Sequence, residues 1–396
     1  MEAHKSRHPL LVLSVLLGLV LPGAALAEST PSFDNRYSNR PAEWFDAVSE
    51  MDYFNTSLTR SWQLNEACND TGAFTVASYN IFHNVPFVTD FGDEMEQSLG
   101  KVFKCADILL MQEAWDYDDI ILDGPKADLA ARGYGMVTPA GYYCDDSLDG
   151  AIENDCSGLV MFYKSGTSLV KELGFKAFTN VTGFDVHKEK GVWGAIFAKE
   201  GRYYYVFNTH LTYGENSHLD GHAASDGSRI SNMQESLAFI QGAVSANKAS
   251  YPPAHVLFGG DFNADFDSTV ANSKGYQLLL QASASGAFLE PYAYRGAGAV
   301  LGGFETAGFK SNWPGTAADT GPNGMSTGQK GDFDTVLLGK PAWFGTCPAA
   351  SISYSGWAPA WQTLDTQQRK WPFYTHSDHY GRWLKVKPGC QATGAP

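Results

Sequence analysis

The stretch that most limits how this chain can fold is Val256-Leu257-Phe258-Gly259-Gly260-Asp261-Phe262-Asn263. Three apolar residues mark the end of a buried strand, and two glycines let the backbone turn tightly. Asp261 and Asn263 follow two residues apart. In extended chain that spacing puts both side chains on one side. A carboxylate and an amide oxygen leaving a core strand together are hard-oxygen donors for a divalent cation. An Asp-x-Asn turn bonded to its own backbone is the competing reading. What separates the two is how many other strands end in the same way.

Several do. Phe74 to Ile81 alternates like a strand and carries Asn80 near its end. Asp107 to Glu113 is a buried apolar run that closes on Glu113, and Tyr203 to His210 closes on His210. Asp378 and His379 stand just before the run from Tyr380 to Val386, and Asp334 opens Asp334-Thr335-Val336-Leu337-Leu338. Ser157 to Tyr163 and Val192 to Phe197 are further strands. Ile230, Met233, Leu237, Ile240 and Val244 repeat at three and four residues, the stripe of a helix packed on a sheet. Met95, Leu99, Val102 and Phe103 mark a second helical face, and residues 127–132 a short third helix. Residues 291–333 are Gly-rich, irregular and too long for a simple connector, which points to a functional loop.

No repeat and no clean linker divides this pattern. The expected organisation is a leader over 1–27, an N-terminal extension over 28–71 packed on the body, and one catalytic domain over 72–396. Lys5 and Arg7, the apolar run from Leu10 to Leu21, and Ala25-Leu26-Ala27 form a secretory signal with cleavage after Ala27. The apolar run is too short to span a bilayer comfortably and ends in Pro22-Gly23. Cysteines in an exported chain are expected to pair. Cys144 and Cys156 flank an acidic loop, and Cys347 and Cys390 sit beyond two C-terminal strands, which leaves Cys68 for Cys105.

A single Glu or His at a strand end usually caps or pairs locally. The whole set resists that explanation, because loops at one edge of a sheet converge in space. Asn, Glu, Asp and Asn without thiolates select Mg²⁺, Mn²⁺ or Ca²⁺ over zinc. Two histidines beside them suit acid/base chemistry near neutral pH. Phosphoryl transfer fits: a metal lowers the pKa of an attacking water, His379 oriented by Asp334 takes its proton, and His210 stabilises the charge that develops. The P-loop and the Gly-x-Ser-x-Gly elbow are both missing, which weakens nucleotide triphosphate and esterase readings.

In order, Tyr79-Asn80, Gln112-Glu113, Asn208-Thr209-His210, Gly260-Asp261-Phe262-Asn263, Asp334 and Ser377-Asp378-His379-Tyr380 resemble the endonuclease/exonuclease/phosphatase superfamily. The resemblance covers about residues 72–388. It implies an α/β, DNase I-like four-layer αββα sandwich, two packed mixed sheets flanked by helices. It further implies a Mg²⁺ site, with Mn²⁺ or Co²⁺ as substitutes, built from Asn80, Glu113, Asp261, Asn263, Asp378 and His379. His379, His210, Asp334 and Asn263 are the implied catalytic set. Asp185-Val186-His187-Lys188-Glu189-Lys190-Gly191 resembles the Asp/Lys-Gly segment of neutral and bacterial sphingomyelinases, where the pair sits near the phosphate. An exposed charged hairpin is the plainer reading of the same residues. Gly381 departs from that family, in which proline often follows the tyrosine.

Trp343, Trp357, Trp361, Trp371 and Phe373 crowd the stretch before Asp378. Trp357 and Trp361, in a small-residue stretch over 353–361, are the expected membrane contacts at a loop tip; filling of the core is the alternative. The resemblance implies a secreted, monomeric phospholipase C-type enzyme that meets sphingomyelin in outer leaflets and releases phosphocholine and ceramide. A net charge of −15 disfavours nucleic acid as a partner. The rivals are a secreted nuclease with the same metal centre and a membrane-binding pseudoenzyme.

Overall fold

The computed structural model describes residues 72–83, 106–115, 129–131, 133–141, 156–182, 185–186, 188–213, 223–263, 287–289, 334–357, 361–362, 374–375 and 381–392. The expected leader and extension, Cys68, Cys105, Cys144, the helix at 95–103, the 291–333 loop, and Asp378 and His379 lie outside the described residues.

In chain order the strands are β1 (Phe74–His83), β2 (Ile108–Ala114), β3 (Tyr134–Val137), β4 (Val160–Lys164), β5 (Ser168–Ala177), β6 (Gly191–Lys199), β7 (Arg202–His210), β8 (Pro253–Asp261), β9 (Asp334–Leu338), β10 (Ala349–Trp357), β11 (Trp361–Gln362), β12 (Tyr374–Thr375) and β13 (Gly381–Pro388). Among the described residues α1 (Ala223–Asn247) and the short α2 (Pro341–Phe344) accompany them, and residues 129–131 are helical. One sheet runs β10-β13-β1-β2-β4-β3 and the other β5-β6-β7-β8-β9. Both are mixed: β1 pairs parallel with β2 and β7 with β8, while the remaining neighbours are antiparallel. Among the described residues β11 and β12 pair only with each other.

Period-two alternation explains why the sheets stack. Phe74, Val76, Ile108 and Leu110 of the first sheet face Trp193, Phe197, Tyr204, Val206 and Leu257 of the second in one cluster. Phe74 stacks on Tyr204 with ring centroids 3.8 Å apart. Each such side chain contributes about 1.5–3 kcal/mol by leaving water. The alternate residues face outward. Ile196, Tyr205, Phe207 and Phe258 pack under α1 through Met233, Ile240 and Val244, as the helical stripe predicts. Leu109, Met111, Val160 and Phe162 pack with Leu129 on the other outer face.

The two ends of the sandwich differ. At one end Lys199 pins the sheets: its Nζ lies 2.8 Å from Asp107 Oδ1 and also donates to Ala73 O. Burial pushes the Asp107 carboxyl up, against the pull of Lys199. The expected Cys347–Cys390 disulfide closes β10 onto the end of β13 here. Cys156 is also disulfide-bonded. β5 was not expected, and β10 corrects the expected loop over 353–361. That stretch is strand through Trp357, paired to Gly381, and resumes as strand at Trp361, paired to Thr375. The alternation of small Ser and Gly with Tyr and Trp is an edge-strand pattern rather than a loop. Trp343, which is 39% exposed, follows the end of β9 that lies away from Asp334.

Candidate metal centre

The same alternation that builds the core also builds the site. In β1, residues 74 and 76 face the opposite sheet, so Ser78 and Asn80 do too. In β2, Ile108 and Leu110 set the parity for Gln112, and in β7, Tyr204 and Val206 set it for Asn208 and His210. Leu257 does so for Asp261, and Val336 for Asp334. Every one of these polar residues is buried. The apolar layer between the sheets therefore gives way at one end to a polar one, fed from both sheets.

The first polar layer ties the sheets together. Gln112 Nε2 donates to Asn208 Oδ1 at 2.7 Å and to Ser78 Oγ at 3.2 Å. Asn208 Nδ2 returns to Met111 O at 2.9 Å and Val160 O at 3.1 Å. Such buried hydrogen-bonded amides hold β2 and β7 in one relative register.

The next layer holds three of the expected ligands, Asn80, Glu113 and Asp261, with His210 of the expected catalytic set beside them. One ligand atom each from Glu113, His210 and Asp261 lies within 4.8 Å of the others. Asn80 Nδ2 donates to Glu113 Oε1 at 3.0 Å and to Asp261 Oδ2 at 2.9 Å. His210 Nε2 is 3.6 Å from the same Glu113 oxygen and 3.5 Å from the same Asp261 oxygen. Two carboxylate oxygens and an imidazole nitrogen converging in a buried place repel one another unless positive charge joins them. In this arrangement the Asn80 amide hydrogens occupy that place. Half a turn of the amide would offer its carbonyl oxygen instead. A hard, oxygen-rich donor set of this kind fits Mg²⁺.

Local backbone geometry aims these groups. β2 breaks at Glu113, which takes φ 57°, an uncommon value for a residue with a side chain. Gly260 takes φ 146°, and a Cβ there would stand 2.0 Å from Thr209 O. Only glycine lets β8 lie this close to β7 beside His210, where Thr209 pairs with Gly260 and His210 with Asp261. Asp334 pairs with Asp261 across β8 and β9, which brings it to the same edge.

Asn263 departs from the extended-chain expectation. β8 ends at Asp261, and Asn263 takes φ 48°. Its N–H donates to Asp261 Oδ1 at 2.7 Å, and its Nδ2 to Leu211 O at 2.8 Å. The turn reading of the motif holds: Oδ1 of Asp261 closes the turn, while its Oδ2 faces Asn80.

Asp185 and Lys190 are not an exposed hairpin. Lys190 is 2% exposed, and its Nζ lies 2.9 Å from Asp185 Oδ2. It also reaches His210 Nε2 at 2.9 Å and Leu211 O at 3.1 Å. An ammonium has three N–H donors, and here three acceptors surround it. Lys190 therefore braces His210 and leaves no donor over in this arrangement. Asp185 also accepts from the Tyr213 N–H, and burial pushes its carboxyl up against the pull of Lys190.

Lys188 and Trp115 carry no role in the sequence reading, yet both are buried here. The Lys188 Nζ sits 4.6 Å from the centroid of the Trp115 ring, and that ring lies 6.1 Å from His210. Burial pulls the Lys188 ammonium down to about 8, with Glu113 opposing. Within a run of charges nothing in the sequence separates Lys188 from its neighbours. Trp357 ends its strand opposite Gly381, and the register of β13 on β1 puts Gly381 beyond Arg382 and Ser78, at the site end.

No protein-family model matches the chain, and no curated protein matches it. Solved structures do. Sphingomyelinase C from Streptomyces griseocarneus superposes with a TM-score of 0.56 at 20% identity, over 80% of this chain and 99% of that one. Beta toxin from Staphylococcus aureus gives 0.53 at 16% identity, over 78% and 99%. SmcL gives 0.51 at 16% identity, over 80% and 99%. The chain thus has the DNase I-like fold, with its two packed mixed sheets. Of the flanking helical layers, the described residues contain α1 on one side and residues 129–131 on the other.

Proposed function

We propose that this protein is a secreted, Mg²⁺-dependent phosphodiesterase of the phospholipase C type that hydrolyses sphingomyelin to ceramide and phosphocholine. The observation that carries the proposal is the meeting of Asn80, Glu113 and Asp261 above the inter-sheet core, with His210 in contact. Asn80, Glu113 and Asp261 would hold the ion, and Asn263, Asp378 and His379 complete the proposed set. A bound Mg²⁺ supplies charge neutralisation for phosphate oxygens and a lowered pKa for water.

The chain's own residues do the rest. His379 takes the proton of the attacking water, and Asp334 holds its ring. His210 lies beside the two carboxylates with its Nε2 accepting from Lys190, and once Nε2 takes up a proton in place of that contact the imidazolium stabilises charge on phosphorus. The buried Asp185–Lys190 pair and the named sphingomyelinases of like fold support the sphingolipid reading. The Cys347–Cys390 bond supports export. Trp357 and Trp361 are proposed to meet the bilayer.

The test is the purified mature chain on vesicles of sphingomyelin or phosphatidylcholine and on DNA, with Mg²⁺ or EDTA. Phosphocholine release from sphingomyelin, abolished by EDTA, is expected. Cleavage of DNA with sphingomyelin untouched would point to the nuclease reading instead.

A further inference from the structure

We infer that Asn232, a buried residue of α1, is a positioning residue: it clamps together the two chain segments that hold His210 and Lys190, and so sets the contact between those side chains. Its effect on turnover rests on the phosphodiesterase reading above.

Asn232 stands beside Met233 in α1 and is fully buried. An amide withdrawn from water is costly unless its hydrogen bonds are remade. Here they are remade in two directions. Asn232 Oδ1 accepts the Thr212 N–H at 3.1 Å and the Thr212 hydroxyl at 2.7 Å. Its Nδ2 donates to Asn180 O at 2.8 Å.

Both partners lead to the site through their own segments. Thr212 lies two residues after His210. Just before it, Leu211 O accepts from Lys190 Nζ at 3.1 Å and from Asn263 Nδ2 at 2.8 Å. Just after it, the Tyr213 N–H donates to Asp185 Oδ2, the same oxygen that faces Lys190. On the other side, Asn180 follows the end of β5, and the Phe178 N–H donates to Lys190 O at 2.9 Å. Ser228, four residues before Asn232 in α1, adds a second tie by donating to Asn180 Oδ1 at 3.2 Å.

One amide therefore joins the turn after His210 to the segment that holds the Lys190 backbone. This matters because a lysine side chain is long and rich in rotamers. The Lys190 ammonium keeps its 2.9 Å contact with His210 Nε2 only while its acceptors keep their spacing. Two of them, Leu211 O and Asp185 Oδ2, are fixed through residues 211–213, which Asn232 grips at their centre. Loss of the clamp lets that turn shift against Lys190, although every reacting group is still present. A displacement of about 1 Å near a reacting centre can cost up to about a hundredfold in rate.

The test uses the full mature chain and compares Asn232→Ala, Thr212→Val and Thr212→Ser, with Lys190 intact and with Lys190→Met. Two quantities are read. The first is the ¹⁵N resonance of His210 Nε2 in histidine-labelled protein, assigned with His210→Gln. The second is kcat and KM on bis(p-nitrophenyl) phosphate with Mg²⁺. Asn232→Ala should move the His210 resonance and lower kcat by at least about tenfold, with KM within about threefold. Thr212→Val should act in the same direction, and Thr212→Ser, which restores the hydroxyl, should recover the wild-type resonance and rate. In the Lys190→Met background Asn232→Ala should lower kcat by less than about threefold, because the contact it serves is gone. Melting curves establish that each variant is folded, and Thr212→Val stands in for Asn232→Ala if that protein does not fold. An unmoved His210 resonance in the folded variant, or the same fold-loss of kcat with and without Lys190, would overturn the inference and leave the phosphodiesterase reading intact. A wild-type protein that hydrolyses no phosphodiester would overturn that reading, and the His210 resonance alone would then decide the inference.

Discussion

His255 should make this protein acid-sensitive by an amount the structure sets. It lies in β8, 1% exposed, with its ring 6.4 Å from Tyr204 and the Arg202 charge nearby. Among the described residues its Nε2 is buried without a hydrogen-bond partner. Burial, and then Arg202, pull the imidazole down to about 4 from the ordinary 6.5. In the unfolded chain the ring takes up a proton near 6.5, while in the folded chain it resists until near 4. Above that window both states are neutral and the residue makes no difference. As pH falls through it, the unfolded state binds more protons and stability is lost. At about 1.4 kcal/mol per pH unit, the full window is worth up to about 3 kcal/mol, a large share of the roughly 5–15 kcal/mol that holds a domain together. His255→Leu is similar in volume and cannot titrate. Urea unfolding of both proteins at pH values from about 7.5 to about 4 gives the comparison. The wild type should lose up to about 3 kcal/mol more than the variant across that range, with the gap opening below about 6.5. Stability curves that stay parallel at every pH would refute this account of His255.

Four other outcomes are expected. Glu113→Gln should abolish Mg²⁺-dependent turnover with the circular dichroism spectrum unchanged, and near wild-type activity would remove Glu113 from the metal site. Gly260→Ala forces a methyl against Thr209 O and should cost at least about 2 kcal/mol in chemical denaturation. His379→Ala should lower kcat by at least about a hundredfold. Asp334→Asn should move the acid limb of the pH–rate profile down, since a carboxylate raises the pKa of the imidazole it faces and an amide does not. An unmoved limb would separate the two residues. Changing Trp357 and Trp361 together to Ala should weaken vesicle binding in a flotation assay and spare a soluble phosphocholine ester, and equal loss on both would place the rings in the core.

Much of the second sheet was legible because its strands are long apolar runs. The Tyr203–His210 and Asp334–Leu338 readings match β7 and β9 to within a residue. The Ile230 to Val244 stripe lies within α1. β5 was missed for a physical reason. It is an edge strand whose Lys171, Glu172 and Gly174 meet water or a bulge, so no apolar run advertises it. The cluster of polar residues was legible because Asn80, His210 and Asp261 share the parity of the core residues before them. Parity also marks Gln112 and Asn208 as cross-sheet partners, although their pairing needs the packing of two sheets to appear. Asn263 was misplaced because the left-handed turn after Asp261 cannot be read from spacing. Lys188 was hidden because burial of one lysine among three charges depends on where Trp115 comes to rest.

The chain writes its second sheet, β5 to β9, as one unbroken passage set inside the first. A cut in the turn between β4 and β5 would leave Asn80 and Glu113 on one fragment and His210, Asp261 and Asp334 on the other. Neither fragment could assemble the centre alone. Two polypeptides that are silent apart and active when mated are the raw material of a complementation reporter. In such a reporter the return of turnover would signal that two fused baits had met, with the metal centre as the joint.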